Sequence, residues 1–458
     1  MDDIPIQDLR RFISSCDPQK PLTSPSDSRY VELGAGVRGS SRSCVEELRR
    51  VIMFQEETSP STQLFMGFSG SGKTTELHRL KHMLENDPDE PCCVVLLNAL
   101  DYIDRYTPPN ITDLLRVLAY VMESEALRWE GADPDANPTY PERLWRWLQS
   151  DVELKQIGFD AYGQKLMLEL RNNTTFRERA QQQLNLRFQA FASEARGVID
   201  DAILRLRRAS GHQRVVLLVD SLEKFTGLTP DDQDEIEACV ERMFTSHAQW
   251  LKQACHTVYT CPLWMRFRSV DLGRIFDAPV QTLPMIKIRN RDGSIHEPGF
   301  DKMLSMVVRR LQLPRHKTDD EGAAQIFGDY QTTLRPMIAA SGGYPRDLIR
   351  MVRDSVQRAD GFPVSNAFLE DQVIDVLAQE YKDVTLRTTR NDRAVMRHIA
   401  HTHELPQGPD ALSSAGQLFG QWLALTYRNG REWYDLHPLV QRHLNLDPEP
   451  PDSAAHDA

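Results

Sequence analysis

An α/β fold is what this sequence predicts: a three-layer core built on a parallel sheet, then a helical lid, then a small C-terminal domain. Three observations predict it. A glycine-rich stretch, Gly67-Phe68-Ser69-Gly70-Ser71-Gly72-Lys73-Thr74, separates an apolar run from a helix-forming run. Further continuous apolar runs alternate with helical segments, as parallel strands buried on both faces do. Beyond about Phe300 the strands give way to helices, and an Asn-Gly turn near the C-terminus marks a hairpin.

The first element fits the pattern G-x-x-x-x-G-K-[ST] in the strand, loop, helix context that gives the pattern physical meaning. Its glycines let the backbone wrap closely, so the N–H groups from Ser69 to Thr75 and the helix N-terminus point at phosphate oxygens. Lys73 then reaches the β and γ phosphates and Thr74 binds magnesium, which makes ATP and Mg2+ the expected ligands.

Composition sets the frame around that loop. A chain of 458 residues points to about two to four domains. With 40% hydrophobic and 26% charged residues it reads as an ordinary soluble protein. No run of about 18 apolar residues occurs, which excludes a spanning helix. The start, Met1-Asp2-Asp3-Ile4-Pro5, lacks an apolar signal core and leads us to expect a cytoplasmic location. Seven cysteines are odd in number and never spaced C-x-x-C, which speaks against structural zinc and a disulfide framework. A net charge of -12 disfavours nonspecific attraction to nucleic acid or anionic lipid.

Along the chain, residues 1–29 read as an irregular leader, with Pro18, Pro21 and Pro25 among serines. The core is expected over residues 30–290. A first βα unit covers residues 63–86, Cys92-Cys93-Val94-Val95-Leu96-Leu97 is the second strand, and a helix near 111–128 follows. A loop over residues 131–141 leads into a helical insertion at about 139–210. In it Thr175-Phe176-Arg177-Glu178 has the form of a capping box, and Leu184, Phe188, Phe191, Ala195 and Val198 repeat at helical spacing as a packing stripe.

The second signal is Val215-Val216-Leu217-Leu218-Val219-Asp220-Ser221-Leu222-Glu223. A buried strand ending in an acid sets that carboxylate at the carboxyl edge of the sheet, where Asp220 joins Thr74 as a magnesium-site residue. Glu223 is placed to polarise the attacking water, to cap a helix or to pair with Lys224. Thr257-Val258-Tyr259-Thr260 is a further parallel strand; Thr260 at its end is a candidate γ-phosphate sensor or a satisfier of backbone groups. A last strand is expected over residues 280–288, and Arg266, Arg268 and Arg274 ahead of it are candidates for an arginine acting on a neighbouring subunit's nucleotide. In the lid, over residues 291–385, Ser341-Gly342-Gly343-Tyr344-Pro345-Arg346 sets Pro345 at a helix start and Arg346 in its first turn, where a guanidinium can report on the γ-phosphate.

Residues 386–446 resemble a winged helix: helices at 393–401 and around 415–423, an Asn429-Gly430 turn between apolar strands, and a closing helix begun by His437-Pro438-Leu439. Residues 388–444 hold six arginines, no lysines and five acids, and 412–422 hold no basic residue. That composition fits a protein-facing winged helix better than a DNA reader. The tail over residues 447–458, acidic and proline-bearing, reads as disordered.

Taken together these residues resemble the STAND branch of the AAA+-like P-loop NTPases, the signal-transducing ATPases. Asp220-Ser221-Leu222-Glu223 matches that family's hydrophobic strand, Asp, small residue, hydrophobic, acid pattern, and Gly343-Tyr344-Pro345 matches its lid G-x-P, whose proline lies against the nucleotide. Gly342-Gly343-Tyr344-Pro345-Arg346 is also similar to the second sensor of origin-recognition-like initiator ATPases, which implies Arg346 as that sensor. Arg38-Gly39 resembles, in reversed order, a short element that lines the adenine. Ser221 stands where fast AAA+ hydrolases have a glutamate, and no arginine closes the third strand. The resemblance implies a slowly hydrolysing switch ATPase in bacterial signalling or anti-phage defence, acting on a separate effector or sensor protein and forming a nucleotide-dependent homo-oligomer. The alternatives are a DNA-associated loader or transposition ATPase, and a nucleotide-binding scaffold that never turns over.

Overall fold

The computed structural model describes residues 4–39, 42–134, 144, 164–268, 271–318 and 320–444. The chain forms two compact units. One falls within Pro21–Asp27 and Arg42–Leu283; the other falls within Met1–Lys20, Ser28–Ser41 and Pro284–Ala458, so described segments from the first and last parts of the chain share it.

In chain order the main elements are α1 (Ile6–Ser15), α2 (Ala35–Arg38), α3 (Cys44–Phe54), β1 (Thr62–Gly67), α4 (Lys73–Glu85), β2 (Cys93–Asn98), α5 (Ile111–Trp129), α6 (Gln164–Asn172), α7 (Thr174–Leu186), α8 (Phe188–Ser210), β3 (Val215–Asp220), α9 (Pro230–Phe244), β4 (His256–Cys261) and β5 (Gln281–Leu283). After them come α10 (Glu297–Arg310), α11 (Pro345–Arg358), α12 (Asp375–Thr385), α13 (Arg390–Thr402), α14 (Pro409–Gly420), β6 (Ala424–Asn429), β7 (Arg431–Leu436) and α15 (Pro438–Gln441), with shorter helices between.

The first unit is a five-stranded parallel sheet in the order β2-β3-β4-β1-β5. Alternate residues of each strand face opposite layers. Phe65, Val94, Val216, Leu218, Val258 and Leu283 pack with Val45, Leu48 and Ile52 of α3 and Leu77, Leu80 and Leu84 of α4. The intervening strand residues, including Leu64, Val95, Leu217 and Tyr259, are just as buried; α5 and α8 pack on β2 and β3, and Phe244 of α9 packs on Tyr259. Both faces being covered explains the unbroken apolar runs. Strand order, parallel register and the β1-loop-α4 connection make this an α/β P-loop NTPase core.

Several elements differ from the sequence-based expectation. The last strand stops at Leu283 instead of reaching residue 288, because Pro284 has no N–H for a ladder and the next amides bond elsewhere: Met285 donates to the Thr426 carbonyl and Ile286 to that of Gly343. Residues 1–29 are not irregular throughout. Pro5 precedes α1, and Asp8, Phe12 and Cys16, at i, i+4, i+8, turn to the interior. The cap at α7 is Asn173, whose side chain accepts from the Phe176 amide, and not Thr175, which lies inside the helix. Within the expected stripe, Leu184, Phe191, Ala195 and Val198 are buried, while Phe188, just past the break at Arg187, is half-buried. Residues 139–143 and 145–163 of the insertion, and the tail, lie outside the described residues.

The second unit carries the helical lid and the winged-helix arrangement α13, α14, β6, β7. Asn429 and Gly430 turn the hairpin, β6 pairing with β7 from Ala424–Leu436 to Asn429–Arg431. Gly430 donates to the Gly39 carbonyl at 2.9 Å, so the tip of this wing is tied to the segment around α2. No described helix is long and apolar enough to cross a membrane.

Candidate functional site

β1 delivers the chain to the carboxyl edge of the sheet, and the loop that follows turns through Gly70 and Gly72 at φ +85° and +102°. Those left-handed conformations favour glycine. Gly72 is the N-cap of α4 and supplies no side-chain cap, so the first amides of the helix are left for an anion. The Lys73 ammonium folds back over the loop. It donates to the Gly67 carbonyl at 2.8 Å and the Phe68 carbonyl at 2.9 Å, and it pairs with Glu223 Oε1 at 2.9 Å.

Both members of that pair are 2% exposed. Burial raises the Glu223 carboxyl, but the charges of Lys73 and Lys224, with hydrogen bonds from Lys73 and Thr260, outweigh it and hold Glu223 below the usual carboxylate range. Burial pulls Lys73 below its ordinary value against the opposing charges of Glu223 and Asp220. Glu223 therefore pairs with Lys73, not with Lys224 as one sequence-based alternative had it. Thr260, fully buried at the end of β4, accepts from the Leu222 amide at 3.1 Å, fixing the turn that leads into Glu223.

At the head of α4, Thr74 Oγ1 donates to Asp220 Oδ2 at 2.7 Å. Asp220 is 3% exposed, and its Oδ1 is buried with no hydrogen-bond partner among the described residues. A hydroxyl beside a carboxylate with a spare buried oxygen is a donor set that suits a hard cation such as magnesium, which needs one or two protein oxygens beside phosphate and water. No group of three or more His, Cys, Asp or Glu side chains among the described residues could hold a metal, so an all-protein cage is not the alternative.

Sequence reasoning named Ser221 and Lys224 without placing either beside Thr74 and Asp220. Ser221 takes a left-handed turn at φ 74°, and its hydroxyl donates to Asp220 Oδ2 at 3.2 Å. Lys224 comes back over that turn and donates to Ser221 Oγ at 2.8 Å and to Thr74 Oγ1 at 3.2 Å. The usable signal was the spacing of four residues between Asp220 and Lys224. Asn98 ends β2 in register with Asp220 at the same edge.

Gly67, Ser69, Gly70, Ser71, Gly72, Lys73 and Thr74 thus meet Asp220, Glu223 and Thr260 in one unit. The Thr75 hydroxyl accepts from the Leu22 amide at 3.3 Å. Pro345 and Arg346 belong to the other unit. There the turn Gly342-Gly343 precedes α11; Gly343 has φ +76°, and a Cβ on it would lie 1.8 Å from the Ile286 carbonyl oxygen. Pro345 takes the first helical position and Arg346 hydrogen-bonds Tyr344. The next residue, Asp347, accepts from the Tyr381 hydroxyl at 2.7 Å and lies 3.3 Å from His437 Nε2. His437 is fully buried, stacks on Tyr381 at 4.2 Å and caps α15, a structural position. Of the three arginines considered for action on a neighbouring subunit, Arg268 pairs with Glu237 at 2.8 Å, and Arg274, 89% exposed, pairs with Asp271 at 3.1 Å.

No known family model matches the chain, and no curated protein matches it. Solved structures do. The chain is similar to the Aeropyrum pernix ORC2 protein in its ADPNP-ADP complexes (11% identity, TM-score 0.40, 96% of this chain and 95% of that one). It is similar to Drosophila ORC bound to DNA (13% identity, TM-score 0.32, 96% and 94%) and to CDC6P from Pyrobaculum aerophilum (13% identity, TM-score 0.32, 92% and 94%).

Proposed function

We propose that this chain is an ATP-binding, slowly hydrolysing regulatory ATPase of AAA+ type whose nucleotide state sets its contact with a separate partner. One observation carries the reading: a glycine-turned loop at the head of α4 meets Thr74, Asp220 and the buried Lys73–Glu223 pair at the carboxyl edge of a parallel sheet. The loop amides bind phosphate, and Lys73 exchanges its carbonyl and Glu223 partners for phosphate oxygens. Released from Lys73, and carried on the turn that Thr260 fixes through the Leu222 amide, Glu223 takes the proton of the attacking water. Magnesium, when bound through Thr74 and Asp220, neutralises phosphate charge and fixes the geometry. Two features support slow turnover: Ser221 follows Asp220 where fast hydrolases carry a glutamate, and the candidate base is engaged by Lys73 at the outset.

The partner is read as protein, since the helix that would enter a groove, α14, carries no basic residue. The STAND-type switch and its defence or signalling setting rest on sequence resemblance, as does the assignment of Arg346 to the γ-phosphate. A DNA-associated AAA+ ATPase is the second reading, favoured by Arg393 on α13 and Arg431 at the wing, both exposed.

Binding of a fluorescent ATP analogue and phosphate release test the proposal. Lys73→Ala should weaken the analogue by about 10- to 150-fold, the worth of a charge-assisted contact of about 1.5–3 kcal/mol. Glu223→Gln should keep it bound while slowing release by about 10²- to 10⁴-fold. Wild-type affinity in the first variant excludes the phosphate-loop assignment; binding without any release leaves a scaffold. Steeply salt-dependent DNA affinity would move the partner to DNA.

A further inference from the structure

The ammonium of Lys224 sits where the magnesium ligands are. It donates to Thr74 Oγ1 at 3.2 Å and to Ser221 Oγ at 2.8 Å; both hydroxyls donate onward to Asp220 Oδ2, at 2.7 and 3.2 Å, and the ammonium is itself 3.8 Å from that oxygen. A single positive charge is therefore enclosed by three oxygens, two of which belong to Thr74 and Asp220, the residues assigned to the metal. The device is built by the local backbone. Ser221 at φ 74° reverses the chain after β3, and the 3-10 turn Leu222–Lys224 brings the lysine back over Asp220. Lys224 is 25% exposed, so its side chain is not sealed inside the site as those of Lys73 and Glu223 are.

We propose, on the ATP reading above, that Lys224 is a tethered cation that holds the metal position in the nucleotide-free protein, and that magnesium enters only by displacing it. Two cations cannot share these oxygens. Magnesium takes oxygen ligands at about 2.0–2.1 Å in near-octahedral array, and a divalent ion on the second lone pair of Thr74 Oγ1 would lie within a few Å of an ammonium that already donates to that oxygen, a like-charge contact that drives one cation out. Bare metal thus meets a site whose charge is already offset. Metal arriving with a triphosphate brings additional oxygen ligands, and the phosphates give the displaced ammonium a new partner. Loading of the metal is thereby made conditional on nucleotide, which gives Lys224 a specificity role that phosphate-loop residues alone do not supply.

The test uses the full chain and Mn2+ alone, followed by electron paramagnetic resonance without nucleotide. Wild-type protein should bind Mn2+ weakly, and Lys224→Met should bind it at least about tenfold more tightly, a difference of 1.4 kcal/mol. Lys252→Met, an exposed lysine on another surface, controls for net charge and should leave the affinity unchanged. Ser221→Ala removes the anchor at 2.8 Å and should move Mn2+ affinity in the same direction, and it serves if the methionine variant fails to fold. With a fluorescent ATP analogue present, half-saturation by magnesium should fall several-fold in Lys224→Met. Equal Mn2+ affinity in wild type, Lys224→Met and Ser221→Ala overturns the proposal, as does an equal gain in Lys252→Met. Because the metal measurement needs no nucleotide, failure to bind the analogue at all sinks the ATP reading separately.

Discussion

At the scale of single residues, the lysine of the phosphate loop has two roles whose energetics oppose each other. Without nucleotide it is a buried cation neutralising a buried carboxylate, and truncating one partner of such a pair leaves an uncompensated charge in low dielectric, at a cost of about 3–5 kcal/mol. Lys73→Ala therefore does more than remove a phosphate contact; it strands Glu223. The expected outcome is a fall in the thermal midpoint of the nucleotide-free protein. Glu223→Gln strands Lys73 in the same way, and the double variant should lose less than the sum of the singles by about 1–3 kcal/mol, measured as a double-mutant cycle in urea. Additive losses would mean that the two side chains do not meet.

Among the elements, what was legible followed from how local each signal is. The loop and its flanking strand and helix lie within one contiguous stretch, and β3 announces itself by an apolar run ending in Asp220, so the sequence names four side chains that meet: Lys73, Thr74, Asp220 and Glu223. Lys224 was read as a partner for Glu223 and not for Thr74 and Ser221, because its direction depends on the left-handed turn at Ser221, which the four-residue spacing from Asp220 does not fix. β5 was read too long because its continuation bonds to Thr426 and Gly343, partners remote in sequence. The wing shows the same limit: its hairpin is written in Asn429-Gly430, but its attachment to Gly39 is not. Gly39 has φ +84°, and a Cβ there would lie 1.5 Å from the Arg428 carbonyl oxygen, so only glycine lets the two backbones touch. Gly39→Ala should detach the tip and raise amide exchange at Gly430 at least about tenfold, since that amide's bond to Gly39 is what protects it. Tyr427→Phe, which deletes a buried 2.6 Å bond from its hydroxyl to the Gly342 carbonyl, should instead cost about 1 kcal/mol of stability and leave that amide protected. Unchanged exchange in Gly39→Ala would release the wing from this contact.

For the molecule as a whole, the distribution of buried charge sets the response to acid. Glu223 is held below the ordinary carboxylate range as described. At the start of α5, burial raises Asp113, but Arg177 and Arg116 outweigh it and again hold the carboxyl low; Arg177 donates to it at 2.8 Å and Gln181, on the same helix α7, at 2.6 Å. This cluster ties the helical insertion to the core. A carboxyl whose folded pKa is depressed contributes stability that is fully present above its unfolded value of about 4 and is lost as pH falls through the folded value. Asp101, Asp200 and Asp435 work in the other direction, each raised chiefly by burial, so they favour the fold slightly as pH drops toward about 4. The midpoint of thermal unfolding should therefore stay level or rise a little from pH 7 to about 5, then fall steeply below about 4 as Glu223 and Asp113 take up protons and leave Lys73, Arg177 and Arg116 buried without counter-charge. Asp113→Asn should lower the midpoint at pH 7, through a loss of about 3–5 kcal/mol, and flatten the acid limb, because the variant has already lost what acid removes. Circular dichroism melts across that pH range decide the matter: an Asp113→Asn curve parallel to wild type below pH 4 would place the acid-labile charges elsewhere.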